Sequence, residues 1–139
     1  MIKIFNITLK DILLYGTALG ITTLVLVFLI SVTIIGHGVK DTCQMAKDTY
    51  SGTCVSALIS YLDDPTNDMR NRNSAVWALG QLGDTASLET LKKFHTGEDE
   101  FPVNLSQELS QLQLKRAIGY MEGNPNITTF FWRFGQSIE

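Results

Sequence analysis

The chain has 139 residues, a formal net charge of −3 and an apolar fraction of 45%. This length accommodates one compact domain and one additional membrane-crossing segment. From residue 40 onward, nine Lys and Arg oppose thirteen Asp and Glu, a formal charge of −4 for that part. Nucleic-acid binding requires a basic face that neutralises phosphates, so this balance argues against a nucleic-acid partner.

The first predicted element is a long apolar helix, because the run from Ile12 to Gly36 contains no charged residue. A helix of that length extends about 37 Å, enough to cross a hydrocarbon core of about 30 Å. A cleaved signal peptide is the competing interpretation, but its apolar region is shorter, about 7–15 residues. We therefore predict an N-terminal tail over 1–11 and an uncleaved, single-pass transmembrane helix over 12–39.

The predicted membrane helix carries a Gly-x-x-x-Gly pattern at Gly16 and Gly20. Small residues at this spacing let two helix backbones approach closely within a bilayer. Glycines are frequent in membrane helices for other reasons, so a homodimer through this helix stays an alternative to a monomeric anchor.

The topology of the span follows from the lysines around it. Lys3, Lys10 and the amino terminus precede the span, and Lys40 and Lys47 follow it. The excess of positive charge on the cytoplasmic side then weakly favours a cytoplasmic N-terminus. We expect a bacterial inner membrane with the soluble domain facing outward.

Apolar residues at spacings of three and four predict further helices after the span. Turn and capping residues such as Thr53, the Asp63–Asn67 cluster and Gly83 separate these helices. Gly123-Asn124-Pro125 ends the last predicted helix. No segment shows the strict alternation of apolar and polar residues that indicates a strand. The predicted helices are Cys54–Leu62, Met69–Leu82, Ala86–His95 and Leu105–Glu122, which form a helical domain over 40–123, followed by an aromatic tail over 124–139.

Two cysteines, Cys43 and Cys54, lie at the start of this domain. If one helix ran through both, they would be about 16 Å apart, too far for a bridge. A disulfide requires the chain to fold back between them. Buried thiols are the alternative, and the sequence leaves the choice open.

The helical domain repeats itself, since Ala78-Leu79-Gly80 reappears as Ala117-Ile118-Gly119. A period of about 30–40 residues built from two helices is typical of an α-solenoid. The predicted fold is therefore all-α, with one transmembrane helix followed by a short solenoid of about two helical hairpins.

The stretch 57–91 resembles a HEAT repeat of the short bacterial type that also occurs in phycobilin lyase subunits. The resemblance implies that Asp64 and Pro65 end the first helix and that an arginine of the second helix, Arg70 or Arg72, reaches back to the turn. The lyase activity is not carried over, because one scaffold serves many unrelated functions. The motif positions are Leu62, Asp64, Pro65, Arg72, Ala75, Ala78, Leu79 and Gly80.

Candidate chemistry is sparse. His37 and His95 do not pair with cysteines or carboxylates at metal-ligand spacing. No phosphate-binding loop, nucleophile elbow or dinucleotide fingerprint occurs. We therefore expect no catalytic residue, no cofactor and no metal, and a protein that is not an enzyme.

Two groups of residues are candidates for binding a protein partner. The first group lies on the predicted helix Met69–Leu82, opposite its apolar stripe, and consists of Asn73, Trp77 and Gln81. Tryptophan is enriched at binding hot spots. Trp77 buried against a neighbouring helix is the alternative. The second group is the aromatic run of Phe130, Phe131 and Trp132. We expect this run to cover the end of the solenoid, with a membrane-interface belt or a partner-binding patch as alternatives.

These features together predict a membrane-anchored, HEAT-like scaffold that mediates protein–protein interaction or acts as an accessory subunit of a membrane complex. A regulatory or maturation factor for an enzyme is the alternative that the lyase resemblance suggests.

Overall fold

A computed structural model describes residues 8–97 and 107–133, and every structural statement below concerns these residues. They form helices joined by turns and contain no strand, which confirms the all-α prediction. The helices are α1 (Leu9–Lys47), α2 (Cys54–Asp63), α3 (Met69–Leu82), α4 (Leu88–Phe94), α5 (Gln111–Met121) and α6 (Ile127–Arg133).

Helix α1 contains the predicted span and continues into the domain without a break. It starts with a capping box, in which Thr8 and Asp11 each satisfy the other's backbone N–H. Residues 12–27 are all exposed, whereas Val32, Gly36, Val39, Cys43 and Ala46 are buried at spacings of three and four. This stripe packs against α2 and α3. The second half of α1 is therefore a core helix of the domain, so residue 40 marks no structural boundary.

The chain reverses direction between α1 and α2. Gly52 has a φ of 122°, a conformation that side-chain-bearing residues rarely adopt. Thr53 then caps α2 by accepting a hydrogen bond from Ser56 N–H. The reversal returns Cys54 to Cys43, and the two form a disulfide with Cα atoms 5.2 Å apart. The question that the sequence left open is resolved because α1 ends at Lys47, before the second cysteine.

Two helical hairpins follow, α2 with α3 and α4 with α5, and α3 packs against α5. Gly83, with a φ of 59°, ends α3 as predicted. The predicted helix over 86–95 is a 3₁₀ turn (Thr85–Ser87) capped by Asp84, followed by α4.

The predicted helix over 105–122 was too long at its start. Helix α5 begins at Gln111, because the Ser110 hydroxyl accepts a hydrogen bond from Gln113 N–H and fixes the N-cap there. Residues 105–106 of the prediction lie outside the described residues.

Helices α3 and α5 approach each other closely at Gly80. A Cβ atom placed on Gly80 would lie 2.8 Å from Ala117 Cβ and 3.0 Å from Ala117 Cα. Real Cβ contacts are essentially never shorter than 3.0 Å. The crossing therefore depends on the absence of a side chain at Gly80 and on a small one at Ala117.

The segment predicted as a tail over 124–139 contains a helix that the sequence analysis missed. Helix α6 packs against α1, where the rings of Phe131 and Phe28 meet edge to face with centroids 5.0 Å apart. Trp132 is buried, and the Thr129 hydroxyl donates to the Gln81 carbonyl at 3.3 Å. Helix α6 thus covers both the end of α3 and the side of α1. Residues 134–139 lie outside the described residues.

Candidate interaction surface

The two arginines near the first hairpin turn have different environments. Arg72 is buried, and its Nε donates to the Leu62 carbonyl at 2.9 Å, which ties α3 to the last turn of α2. Its guanidinium also lies over the Phe94 ring, 5.7 Å from the centroid. Arg70 is exposed at the start of α3. The arginine that reaches back to the turn is therefore Arg72, and its contacts are structural.

The turn carboxylate is held by a hydrogen-bond network. Asp64 accepts hydrogen bonds from the Tyr50 hydroxyl at 2.6 Å and from both N–H and hydroxyl of Thr66, at 2.8 and 2.6 Å. These bonds, first of all that from the Thr66 side chain, lower the pKa of Asp64 to about 2. Asn67 donates to the Tyr50 hydroxyl and to the Tyr61 carbonyl. The network fastens the turn to the end of α1.

Two of the predicted partner-binding residues are buried instead of lying on an open face. Asn73 donates to the Glu108 carbonyl and accepts from Ser110 N–H, both at 2.8 Å, so it holds the segment that leads into α5. The Gln81 side chain accepts hydrogen bonds from Asn126 and Thr129. The expectation of an open face failed here because α5 and α6 pack over the polar side of α3.

Trp77 is half-buried, with its ring against α1. A Cβ atom on Gly38 would lie 3.1 Å from the tip of the indole, so the glycine leaves room for the ring. The alternative interpretation, packing against a neighbouring helix, thus describes part of the side chain. The rest borders two depressions: one of about 140 Å³ shared with α5, and one of about 220 Å³ shared with the start of α3.

Three residues of α5 that the sequence analysis did not select line the first depression: Gln113, Arg116 and Tyr120. Gln113 lines both depressions, and its Oε1 atom is buried without a hydrogen bond from any described residue. Arg116 is exposed. Their spacing of three and four along α5, out of phase with buried Leu114 and Ala117, is the signal that identifies this face. We call the surface formed by Trp77, Gln113, Arg116 and Tyr120 the α3–α5 groove.

The aromatic run at the C-terminal end divides into exposed and buried side chains. Phe130 and Phe131 are exposed, and Trp132 is buried. Arg133 donates to the Gln81 carbonyl at 3.2 Å. Burial against α3 lowers the pKa of the Arg133 guanidinium, and the nearby Asp84 carboxylate opposes that shift. The run is thus partly packed against the domain and partly an open apolar surface.

Neither glycine of the Gly-x-x-x-Gly pattern packs against the rest of the described chain. A Cβ atom on Gly16 or on Gly20 would meet nothing within 4 Å. Among residues 8–97 and 107–133, no three His, Cys, Asp or Glu lie close enough to hold a metal ion.

One segment of the chain matches a known protein family. Residues 72–94 match the family of the PBS lyase HEAT-like repeat. The match covers most of α3, the 3₁₀ turn and α4, and so joins the second helix of one hairpin to the first helix of the next. No curated protein and no solved structure matches the chain. HEAT-like repeats are helical scaffolds that generally mediate protein–protein interaction and are not typically catalytic.

Proposed function

We propose that this protein is a membrane-anchored scaffold whose HEAT-like domain binds another protein, as an accessory subunit of a membrane complex. The proposal rests on the two different halves of α1. The first half of this helix is apolar and exposed, and the second half is a core helix of the domain. Anchor and domain then form one rigid element, which would hold the binding surface at a fixed height above the bilayer.

Burial along α1 supports a membrane environment for its first half. A core helix of a soluble protein is mostly buried, but only 6% of the most apolar 18-residue window of α1 is buried. Large side chains such as Leu19, Leu24 and Ile21 are 64–71% exposed. An apolar surface of this extent on a soluble monomer would promote association, whereas a bilayer covers it.

The disulfide supports a location for the domain outside the cytoplasm. Disulfides persist in oxidising compartments and are rare where thioredoxin and glutathione keep thiols reduced. Cys43 and Cys54 are both buried, 4% exposed, in the α1–α2 junction. This agrees with the direction that the flanking lysines weakly favour, with the N-terminus in the cytoplasm.

The α3–α5 groove is the surface that we propose for the protein partner. It presents the free edge of Trp77 and the exposed Arg116 beside two depressions. Tryptophan and arginine are the residue types most enriched at binding hot spots.

The proposal is tested by purifying the full chain and its bound partner in mild detergent. Arg116→Glu reverses an exposed charge in the groove, and Lys40→Glu makes the same reversal on an exposed site of α1 outside it. Arg116→Glu should abolish a stoichiometric complex that Lys40→Glu retains, with equal melting temperatures for both variants. A complex that survives Arg116→Glu unchanged would remove the groove from consideration.

Self-association is a separate part of the proposal, because Gly16 and Gly20 are open to a second helix. Close helix contact at these glycines would be blocked by Gly16→Leu with Gly20→Leu. Cross-linking in vesicles should lose its dimer band in this variant. A dimer that persists would place the contact elsewhere.

A further inference from the structure

Helix α6 has two faces of different character. Ile127, Phe130 and Phe131 are spaced three and four apart and so share one face, where they are 67%, 61% and 47% exposed. Thr129 and Trp132 lie on the opposite face and are buried against the domain. Contact with the domain therefore buries Trp132, whereas the face that carries Ile127, Phe130 and Phe131 stays exposed over about half of its side-chain surface or more. We call Ile127, Phe130 and Phe131 the aromatic patch.

The aromatic patch is continuous with the apolar surface of α1. Phe131 lies on Phe28, and Phe130 meets Phe131 edge to face, with centroids 5.4 Å apart. On α1, Phe28 is the first side chain that the domain covers, and the residues immediately before it are exposed and apolar. The aromatic patch thus adds apolar surface next to the exposed part of α1, at the end of the domain that adjoins it.

The depth of this contact follows from the length of α1. Lys10 and Asp11 are the last charged residues before the apolar run, so the hydrocarbon core starts near Ile12. A core of about 30 Å takes about 20 residues of helix, which ends it near Ser31. Phe28, and with it Phe131, then lies just inside the boundary between hydrocarbon and headgroups.

From this position we infer that α6 is an interfacial helix, which inserts the aromatic patch into the outer boundary of the bilayer and seats the domain directly on the lipid surface. The inference rests on the proposed membrane anchorage of α1. Aromatic side chains favour this depth, where an apolar ring and polar neighbours are both accommodated. Arg133, at the end of α6, is positioned to meet headgroup phosphates while it holds the Gln81 carbonyl.

The test uses the full chain in phospholipid nanodiscs, with a nitroxide label on one introduced cysteine at a time. The native cysteines are paired, so the introduced thiol is the one that reacts. Leu19→Cys reports on the anchor and Phe130→Cys on the aromatic patch. Arg70→Cys is the aqueous reference. Arg70 is exposed near the start of α3, whereas Gly83, which lies beside Arg133, follows the end of α3. The helix between them is about 20 Å long, so Arg70 is remote from α6.

The readout is the collision rate of each label with oxygen, which concentrates in the bilayer, relative to that with a water-soluble nickel chelate. The Phe130 label should resemble the Leu19 label, with oxygen favoured, and the Arg70 label should favour nickel. A Phe130 label that favours nickel beside an oxygen-favouring Leu19 label would overturn the interfacial helix and leave the anchor intact. A Phe130 label shielded from both reagents would overturn it in favour of a protein contact. A nickel-favouring Leu19 label would refute the anchor itself.

Discussion

Gly80→Ala tests whether the crossing of α3 and α5 organises the domain. Alanine is favoured over glycine in a helix interior by about 0.8–1.0 kcal/mol, so an unhindered substitution would stabilise α3. At Gly80 the new Cβ would sit 2.8 Å from Ala117 Cβ and 3.0 Å from the Ala117 backbone, which cannot rotate away. Overpacking of this kind costs about 1–3 kcal/mol. The two effects together predict a net loss of about 1 kcal/mol.

Gly119→Ala is the matched control, on the partner helix. There the new Cβ would lie 2.5 Å from Nδ2 of Asn124, the far end of an exposed and flexible side chain. Asn124 can rotate away at little cost, so the helix preference of alanine dominates. We expect Gly119→Ala to raise the stability by up to about 1 kcal/mol.

Thermal unfolding of the full chain in detergent, followed by circular dichroism, measures both variants. A change of 1 kcal/mol corresponds to roughly 4–8 °C for a domain of about this size. The melting temperature should fall for Gly80→Ala and stay level or rise for Gly119→Ala. If both substitutions shift it in the same direction by the same amount, the close approach at Ala117 does not govern the packing.

Three further predictions concern the junction, the turn and the contact between α1 and α3. Replacing both Cys43 and Cys54 by Ser should cost about 3 kcal/mol, the loop-closure value for a sequence separation of 11, and an unchanged melting temperature would mean that the bridge does not form. Because the pKa of Asp64 falls from 3.8 to about 2 on folding, its stabilising contribution is complete above pH 4 and is lost as the pH falls toward 2. The stability difference between the wild type and Asp64→Asn should shrink across that window, and a constant difference would contradict the pKa shift. Trp77→Ala should lower stability by about 1–3 kcal/mol because it removes the indole from Gly38, whereas Arg116→Ala on the same groove should melt like the wild type, and equal melting of both would place Trp77 outside the packing.

The sequence predicted the helices well where its local signals were strong. The bounds of α3 agree with the prediction because Asp68 and Gly83 provide unambiguous caps. The start of α5 was misplaced because it depends on Ser110, whose N–H is held by the distant Asn73. No local pattern reveals such a contact.

The site was harder to predict than the fold. A helical wheel gives the polar side of α3 correctly but not which helices pack over it, so Asn73 and Gln81 were placed on an open face. Asn73 is covered by the segment that leads into α5, which holds both its amide groups. Gln81 is covered by α6, whose seven residues lie in a segment that looked like a tail. The groove residues Gln113 and Arg116 had a readable spacing, but their importance depends on the contact between α5 and α3.

We propose that α1 is both a membrane anchor and a core helix of the domain. The most direct test of this proposal is to wash membranes that contain the protein with alkaline carbonate and to determine the intact mass of the chain that remains. We expect the full-length chain in the membrane pellet, because the apolar first half of α1 would hold it in the bilayer. The chain should be uncut, because removing α1 would expose the core around Val39 and Cys43. Recovery of the chain in the soluble fraction, or of a shortened chain without α1, would contradict it.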